Sequence, residues 1–366
     1  MKKILILLII FTFLSVLTSC QHRRHRFSGW IEIIPNTCTQ NGVEERVCKC
    51  GEREERTTYA TGHTYGNWEI IREASCEYDG MKERRCACGE TYTEFTSSDG
   101  ETYCNRHTIT ASGDLKDSEG FINTATYNTA RCKNFTTESI DVKGVADFIY
   151  NNNIAICALQ EVCNNMEGGD YYHQARYISC LLTEKTQTQY YYAFAPSLSG
   201  YHDENAYYGN AIISKYPILS YRTVELKYID EPVHNGYEHR ILLIAEINVD
   251  GEILTVISTH FDLKEDARMF DADALLAELE NIKTSVLLMG DLNSNPNSEV
   301  IQKILSKLYI PDADGEEFLT FPYNAPTRQI DYIMFSEGIT VMNPRVITDA
   351  TVSDHLPFVL SIKLNA

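Results

Sequence analysis

Basic residues are scarce in this chain. Of its 366 residues, 32 are Lys or Arg and 51 are Asp or Glu, a formal net charge of −19. A surface that negative repels polyanions, which excludes a nonspecific nucleic-acid coat protein. Long apolar runs are missing too. The N-terminal stretch Ile4–Val16 has 13 residues, short of the roughly 20 a spanning helix needs. Cysteine, at 12 positions, is too sparse for a knottin-like scaffold. What the chain does have is apolar material. It is 43% hydrophobic and 23% charged, enough for a sizeable core and too much for wholesale disorder. The length gives a prior of two domains.

Lys2 and Lys3 precede the apolar run, so residues 1–19 read as a signal peptide. Leu17-Thr18-Ser19-Cys20 follows and resembles the bacterial lipoprotein cleavage box, in which the cysteine becomes the lipidated first residue. Ordinary cleavage nearby would leave Cys20 a plain thiol. The expectation is an exported protein of the bacterial cell envelope, tethered to the membrane by acyl chains on Cys20 rather than by a helix.

Residues 20–99 hold two tandem copies of one unit. His25, Trp30, Cys38, Cys48 and Cys50 recur as His63, Trp68, Cys76, Cys86 and Cys88, each 38 positions later. Asn41-Gly42 and Asp79-Gly80 sit between short strand-like stretches, so each copy predicts a small β-hairpin unit with its Trp as core filler. Units this small need a staple. Three cysteines and one histidine per copy equal the ligand count of a tetrahedral Zn²⁺ site. The Cys-x-Cys spacing is tighter than the usual zinc knuckle, and export favours disulfides, which would leave one odd thiol per copy. Both staples stay open. Such repeats resemble the tandem modules appended to bacterial surface proteins for spacing or adhesion. A linker over 100–120, opened by Ser97-Ser98-Asp99-Gly100, separates them from residues 121–366. The acidity belongs to this later part, where residues 100–366 carry 19 Lys and Arg against 37 Asp and Glu.

That later part alternates strand and helix patterns. Strands are predicted at Phe121–Thr129, Ile154–Leu159, Ala211–Ser214, Ile241–Val249, Leu254–Thr259, Ser285–Met289, Ile330–Phe335 and Phe358–Ile362. Helices are predicted at Ile140–Asn151, capped by Thr137 or Ser139, at Ala267–Leu279 and near Ser298–Ser306. The expected class is α/β, two sheets packed face to face with helices outside.

Polar residues gather where these strands begin or end: Leu159-Gln160-Glu161, Ser258-Thr259-His260, Gly290-Asp291-Leu292-Asn293, Ile330-Asp331-Tyr332 and Ser353-Asp354-His355. Singly, each reads as a cap or turn. Together they supply carboxylates for a hard divalent cation, histidines to meet a phosphoryl oxygen or a water proton, and an amide to orient that water.

With Gly209-Asn210-Ala211-Ile212-Ile213-Ser214-Lys215-Tyr216-Pro217 added, the ordered set LQE, GNxIxSKxP, STH, GDLN, IDY and SDH resembles the endonuclease/exonuclease/phosphatase superfamily. That superfamily includes deoxyribonuclease-I-like nucleases, apurinic endonucleases, inositol-phosphate 5-phosphatases and bacterial sphingomyelinases. The resemblance covers Phe121 to Leu364 and implies a four-layered α/β/β/α sandwich. It implies Mg²⁺ or Mn²⁺ on Glu161, with Asn128 and Asp354 on the metal side. It also implies His260 on a phosphoryl oxygen, Asp291 and Asn293 positioning the attacking water, and Asp331 orienting His355 as base or phosphate clamp.

Asn210 and Arg240 match positions near the phosphate, yet either also fits a structural role, satisfying a loop backbone or pairing with a surface carboxylate. One departure appears after STHFD, where relatives carry Arg-x-x-Gln and this chain has Arg268-Met269-Phe270-Asp271. Cys104, Cys132, Cys157, Cys163 and Cys180 read as buried hydrophobes. The substrate class stays open among nucleic acid, phospholipid and small phosphoesters, for neither a basic loop nor an apolar membrane-docking hairpin stands out. No obligate protein partner is implied. The rival reading is a surface adhesion lipoprotein whose repeats bind and whose sandwich is an idle scaffold.

Overall fold

The computed structural model describes residues 24–96, 103, 109, 116–199, 206–229, 233–312, 317–350 and 352–365. The signal segment 1–19, Cys20, Cys104 and most of the predicted linker lie outside the described residues. The chain forms two compact units: residues up to Glu69 with Glu83–Thr93, and Ile70–Lys82 with Glu94 onward. Among the described residues no helix is long and apolar enough to cross a membrane.

Each repeat is a three-stranded sheet, antiparallel in the first. The first is β1 (Ile31–Ile34), β2 (Gly42–Val47) and β3 (Arg53–Thr58); the second is β4 (Glu69–Arg72), β5 (Gly80–Arg85) and β6 (Thr91–Thr96). Gly42 opens β2 where only hydrogen fits, since a Cβ there would stand 2.4 Å from both Asn36 N and Ile34 O. The tryptophans are not core filler. Trp30 is half-buried between the guanidinium groups of Arg46 and Arg56, at 4.6 and 4.5 Å from its ring, and Arg84 stacks 4.8 Å over Trp68. The cysteines regroup across the repeats. Cys38 joins His63, Cys86 and Cys88, while His25, Cys48 and Cys50 form a separate trio. Within-repeat sets of four, as the sequence suggests, are not what forms.

The second unit contains a two-sheet sandwich. Its first elements are β7 (Ile122–Asn128), α1 (Val142–Asn151), β8 (Ile154–Asn164), α2 (Gln174–Thr186), β9 (Tyr191–Ser199), β10 (Tyr207–Ser214), β11 (Ile218–Leu226), β12 (Arg240–Val249) and β13 (Glu252–His260). There follow α3 (Glu265–Leu279), β14 (Ser285–Asp291), α4 (Glu299–Ile304), β15 (Asp331–Phe335), β16 (Ile339–Val346) and β17 (Phe358–Leu364). One sheet has the order β9-β10-β8-β7-β17-β16 and the other β11-β12-β13-β14-β15. Each contains one parallel pair, β7 with β8 and β13 with β14, because α1 and α3 carry the chain back to the starting edge.

Three apolar clusters define four layers. Ile156, Ile212, Leu243, Val256, Leu287 and Leu360 fill the space between the sheets. Val145, Ile149, Ile178 and Leu182 seal α1 and α2 onto one outer face, and Leu275, Val300 and Ile301 seal α3 and α4 onto the other. This is the α/β/β/α sandwich the motifs imply. The cap of α1 is Asp141, which accepts from Gly144 N at 2.8 Å; Thr137 and Ser139 bond each other instead. Cys132, Cys157, Cys163 and Cys180 are buried, and burial pushes the Cys163 thiol up to about 12.

Residues 70–82 belong to the same unit as the sandwich. Asp79 and the fully buried Arg176 of α2 form an ion pair of 2.6 Å, and Tyr78 stacks on Tyr172 at 5.0 Å.

Candidate active site

Strand register assembles the site. β7 and β8 pair with Gln160 opposite Asn128, β13 and β14 with His260 opposite Asp291, and β14 and β15 with Asp291 opposite Asp331. Four motifs distant in sequence therefore meet at one rim of the facing sheets. A register shift between Leu159 and Val162 bulges β8, and there Glu161 adopts φ +58°. A non-glycine residue in that region is held against local preference, and bulges of this kind re-aim side chains. Three further left-handed residues, Ala130, Arg131 and Cys132, turn the chain just after Asn128.

Asn128 is the bridge. Its Nδ2 donates to Glu161 Oε1 and Asp291 Oδ2, both at 3.1 Å, and its Oδ1 accepts from Ala130 N at 3.1 Å. Asn293, at φ +48°, donates its backbone N–H to Asp291 Oδ1 at 2.9 Å, and its amide lies 3.1 Å from His260 Nε2. His355 Nδ1 donates to Asp331 Oδ2 at 2.9 Å, and its Nε2 faces Asp291 Oδ2 at 3.7 Å. Asp291, Asp331 and His355 thus place ligand-type atoms within 4.8 Å of one another, all buried.

The two histidines carry opposite electrostatics. Burial, reinforced by Arg240 and His355, holds His260 well below its ordinary value, so it is neutral. Arg240 Nη1 lies 3.1 Å from His260 Nδ1 and the Asn293 amide nitrogen 3.1 Å from Nε2, so both ring nitrogens face N–H donors, as suits a neutral ring. Nε2 also lies 3.4 Å from Asp291 Oδ2. For His355, burial favours the neutral ring, but Asp331, Asp291 and Asp354 together outweigh it and push the group up to about 10. Burial and the charge of Asp331 push Asp291 up to about 7.

Asp354 stands one residue before His355, half-buried, with Oδ1 3.4 Å from Ser353 Oγ. No hydrogen bond among the described residues joins it to Glu161. Arg240 is buried and pairs with Glu238 at 3.1 Å while touching His260, so it is both an ion-pair partner and a wall of the site. Asn210 donates to Ile241 O at 3.5 Å, a contact between the two sheets and a structural one.

Several contributors escape sequence reading. Thr320 Oγ1 donates to Asp331 Oδ2 at 2.5 Å, and Ser353 Oγ donates to Asn128 O at 2.6 Å while accepting from His355 N at 3.1 Å. Asp271 occupies the place where the motif departs from its relatives. It is buried, accepts from Asp262 N at 3.0 Å, and is pushed up to about 7 by its burial. Asp262 in turn accepts from Glu238 N at 2.7 Å, so a polar chain runs from Asp271 through Asp262, Glu238 and Arg240 to His260. The Asp two positions after His260 was the available signal. Arg268 is spent on the carbonyl of Leu263, at 2.6 Å.

Residues 125–355 match the Endonuclease/Exonuclease/phosphatase family. The chain belongs to that family. Similar solved structures include an endonuclease/exonuclease/phosphatase from Bacteroides vulgatus, with a TM-score of 0.54 and 19% identity over 67% of this chain and 99% of that one. A Leptotrichia buccalis family protein gives 0.55 and 20% over 66% and 99%. A mannosyl-6-phosphatase of Bacteroides thetaiotaomicron gives 0.52 and 18% over 66% and 98%. At these identities the likeness is one of fold. No curated protein matches the chain. The family sandwich, its motif order and its buried polar rim are thus all present here, so the chain is of the phosphoester-hydrolase type.

Proposed function

We propose that this chain hydrolyses phosphoesters by in-line attack of water on phosphorus, aided by Mg²⁺ or Mn²⁺. The observation that carries the reading is the buried Asp331–His355 pair facing Asp291 and the neutral His260. The donor set fits a hard divalent cation. Glu161 is aimed by a left-handed backbone, Asn128 ties it to Asp291, and Asp331 Oδ1 is buried without a hydrogen-bond partner. Glu161 would hold the ion, with Asn128 and Asp354 beside it. When bound, the ion neutralises charge developing on the phosphoryl oxygens.

The protein groups take the remaining roles. His355, kept protonated by Asp331, donates from Nε2 to a non-bridging oxygen, which favours the clamp over the base. Asp291, poised near neutrality, accepts the proton of the attacking water, and the Asn293 amide orients that water. His260 contacts the phosphoryl oxygen. An idle scaffold would gain nothing from the buried carboxyl groups of Asp291 and Asp271, pushed up by burial, or from the buried Asp331–His355 pair beside them. Export and acylation at Cys20 complete the proposal, and loss of incorporated palmitate in Cys20→Ser would support them.

The test uses the full chain against supercoiled plasmid and, in parallel, hexose 6-phosphates, with Mg²⁺ titrated. Turnover on one substrate class should vanish with a chelator, and Glu161→Gln should raise the Mg²⁺ requirement at least tenfold. Well-folded protein inert on every phosphoester tried, or a Glu161→Gln variant with an unchanged Mg²⁺ titration, would overturn the reading.

A further inference from the structure

The repeats lack the usual means of staying folded. None of the three apolar clusters includes a residue before Ile122, and the only buried apolar side chains before it, among the described residues, are Cys48 and Cys86. Ile31, Ile33 and Ile34 of β1 are 60, 56 and 53% exposed. A small β unit in that position needs a cross-link or a metal. The buried apolar side chain in each repeat is a cysteine.

The surroundings of Cys86 indicate which it is. Cys38 Sγ lies 3.6 Å from Cys86 Sγ, Cys88 Sγ lies 3.3 Å from His63 Nδ1, and all four atoms fall within 4.8 Å of one another. A disulfide brings two sulfurs to about 2.05 Å. A tetrahedral zinc site, with Zn–S about 2.3 Å and Zn–N about 2.05 Å, sets its ligand atoms about 3.5–3.8 Å apart. The observed separations sit close to the second spacing and far from the first. The local backbone explains how Cys-x-Cys manages this. Gly89 N donates to Cys86 O at 2.9 Å with Gly89 at φ +96°, a tight turn that swings Cys88 back beside Cys86.

We propose that Cys38, His63, Cys86 and Cys88 hold one structural Zn²⁺, and that this ion joins the first repeat to the second. Three thiolates and an imidazole are the donor chemistry of a closed zinc site. The set takes its fourth ligand from the preceding repeat. The trio His25, Cys48 and Cys50 offers three ligands among the described residues. The ion thereby supplies the core that the repeats do not build from side chains, and its binding is folding free energy for this unit.

The test is metal content of the purified full chain, reduced, loaded with Zn²⁺ and dialysed against a mild chelator. Cys38→Ser should lose a retained zinc, or bind it at least tenfold more weakly, whereas Cys76→Ser should keep it. The reverse pattern would restore within-repeat sites and overturn the inter-repeat one. Absence of retained zinc together with a Cys38–Cys86 disulfide, detected by mass after alkylation, would also overturn it. Should Cys38→Ser fail to fold, Co²⁺ in the unaltered chain decides. Strong tetrahedral d–d bands with thiolate charge transfer support the site, and a weak octahedral spectrum rejects it.

Discussion

His355 and His260 stand on either side of Asp291, and the protein gives them opposite charges with different neighbours. Asp331 makes the difference, since it bonds one ring at 2.9 Å and Arg240 faces the other at 3.1 Å. A residue-scale prediction follows from the sign of the shift. His355 acts as an imidazolium, so activity should hold until pH rises toward about 10 and then fall. Asp331→Asn removes the largest raising influence. The alkaline limb of kcat/KM should then slide toward the ordinary histidine range near 6.5, and turnover at pH 8 should drop by roughly 30-fold. A pH–rate profile of the two proteins between pH 6 and 10 checks this. An unmoved limb in Asp331→Asn would remove His355 from the charged role. His355→Ala should lose turnover by roughly 10²–10⁴ while its circular dichroism spectrum stays that of the parent.

At the scale of elements, catalytic placement depends on how closely β13 and β14 approach. A Cβ on Gly290 would lie 2.1 Å from Thr259 O, and those residues are paired one step before His260 and Asp291. Gly290→Ala should force the strand ends apart, costing about 1–3 kcal/mol of stability and lowering kcat at least tenfold with little change in KM. Wild-type kcat in a folded Gly290→Ala protein would show that this approach does not set the geometry. The same strands explain what could be read in advance. β8 and β14 were visible because buried parallel strands are continuous apolar runs, and their polar ends stand out against them. α2 was invisible because Gln174 through Cys180 are all buried, which erases the amphipathic period. β11 failed for the opposite reason: between Ile218 and Leu226 it is almost wholly exposed and shows no alternation. The roles of Asp271 and Thr320 were missed because they arise only from contacts across the fold, and the grouping of Cys38 because its partners lie in the next repeat.

For the whole molecule, the folding unit does not begin where the linker composition suggests. Residues 70–82, inside the second repeat, belong to the same compact unit as the sandwich, and the contact is polar and buried. Arg176 Nη1 pairs with Asp79 Oδ1 at 2.6 Å, Arg176 Nε donates to Cys76 O at 3.2 Å, and His173 N donates to Glu77 O at 2.8 Å. With Arg176 fully buried, removing its partner strands a charge in the interior, which costs about 3–5 kcal/mol. A chain cut to residues 100–366 should therefore unfold at markedly lower urea than the full chain, and Asp79→Ala in the full chain should reproduce most of that loss. The sign can be tested a second way, because a buried ion pair is weak as a stabiliser but costly to half-remove. The double variant Asp79→Leu with Arg176→Met should recover much of the stability that Asp79→Ala loses. Urea midpoints of the four proteins settle it. Equal midpoints for the cut and full chains would mean that residues 70–82 add nothing to the sandwich, and any phosphoesterase assay could then use the shorter chain. Unequal midpoints mean that activity must be measured with the second repeat in place.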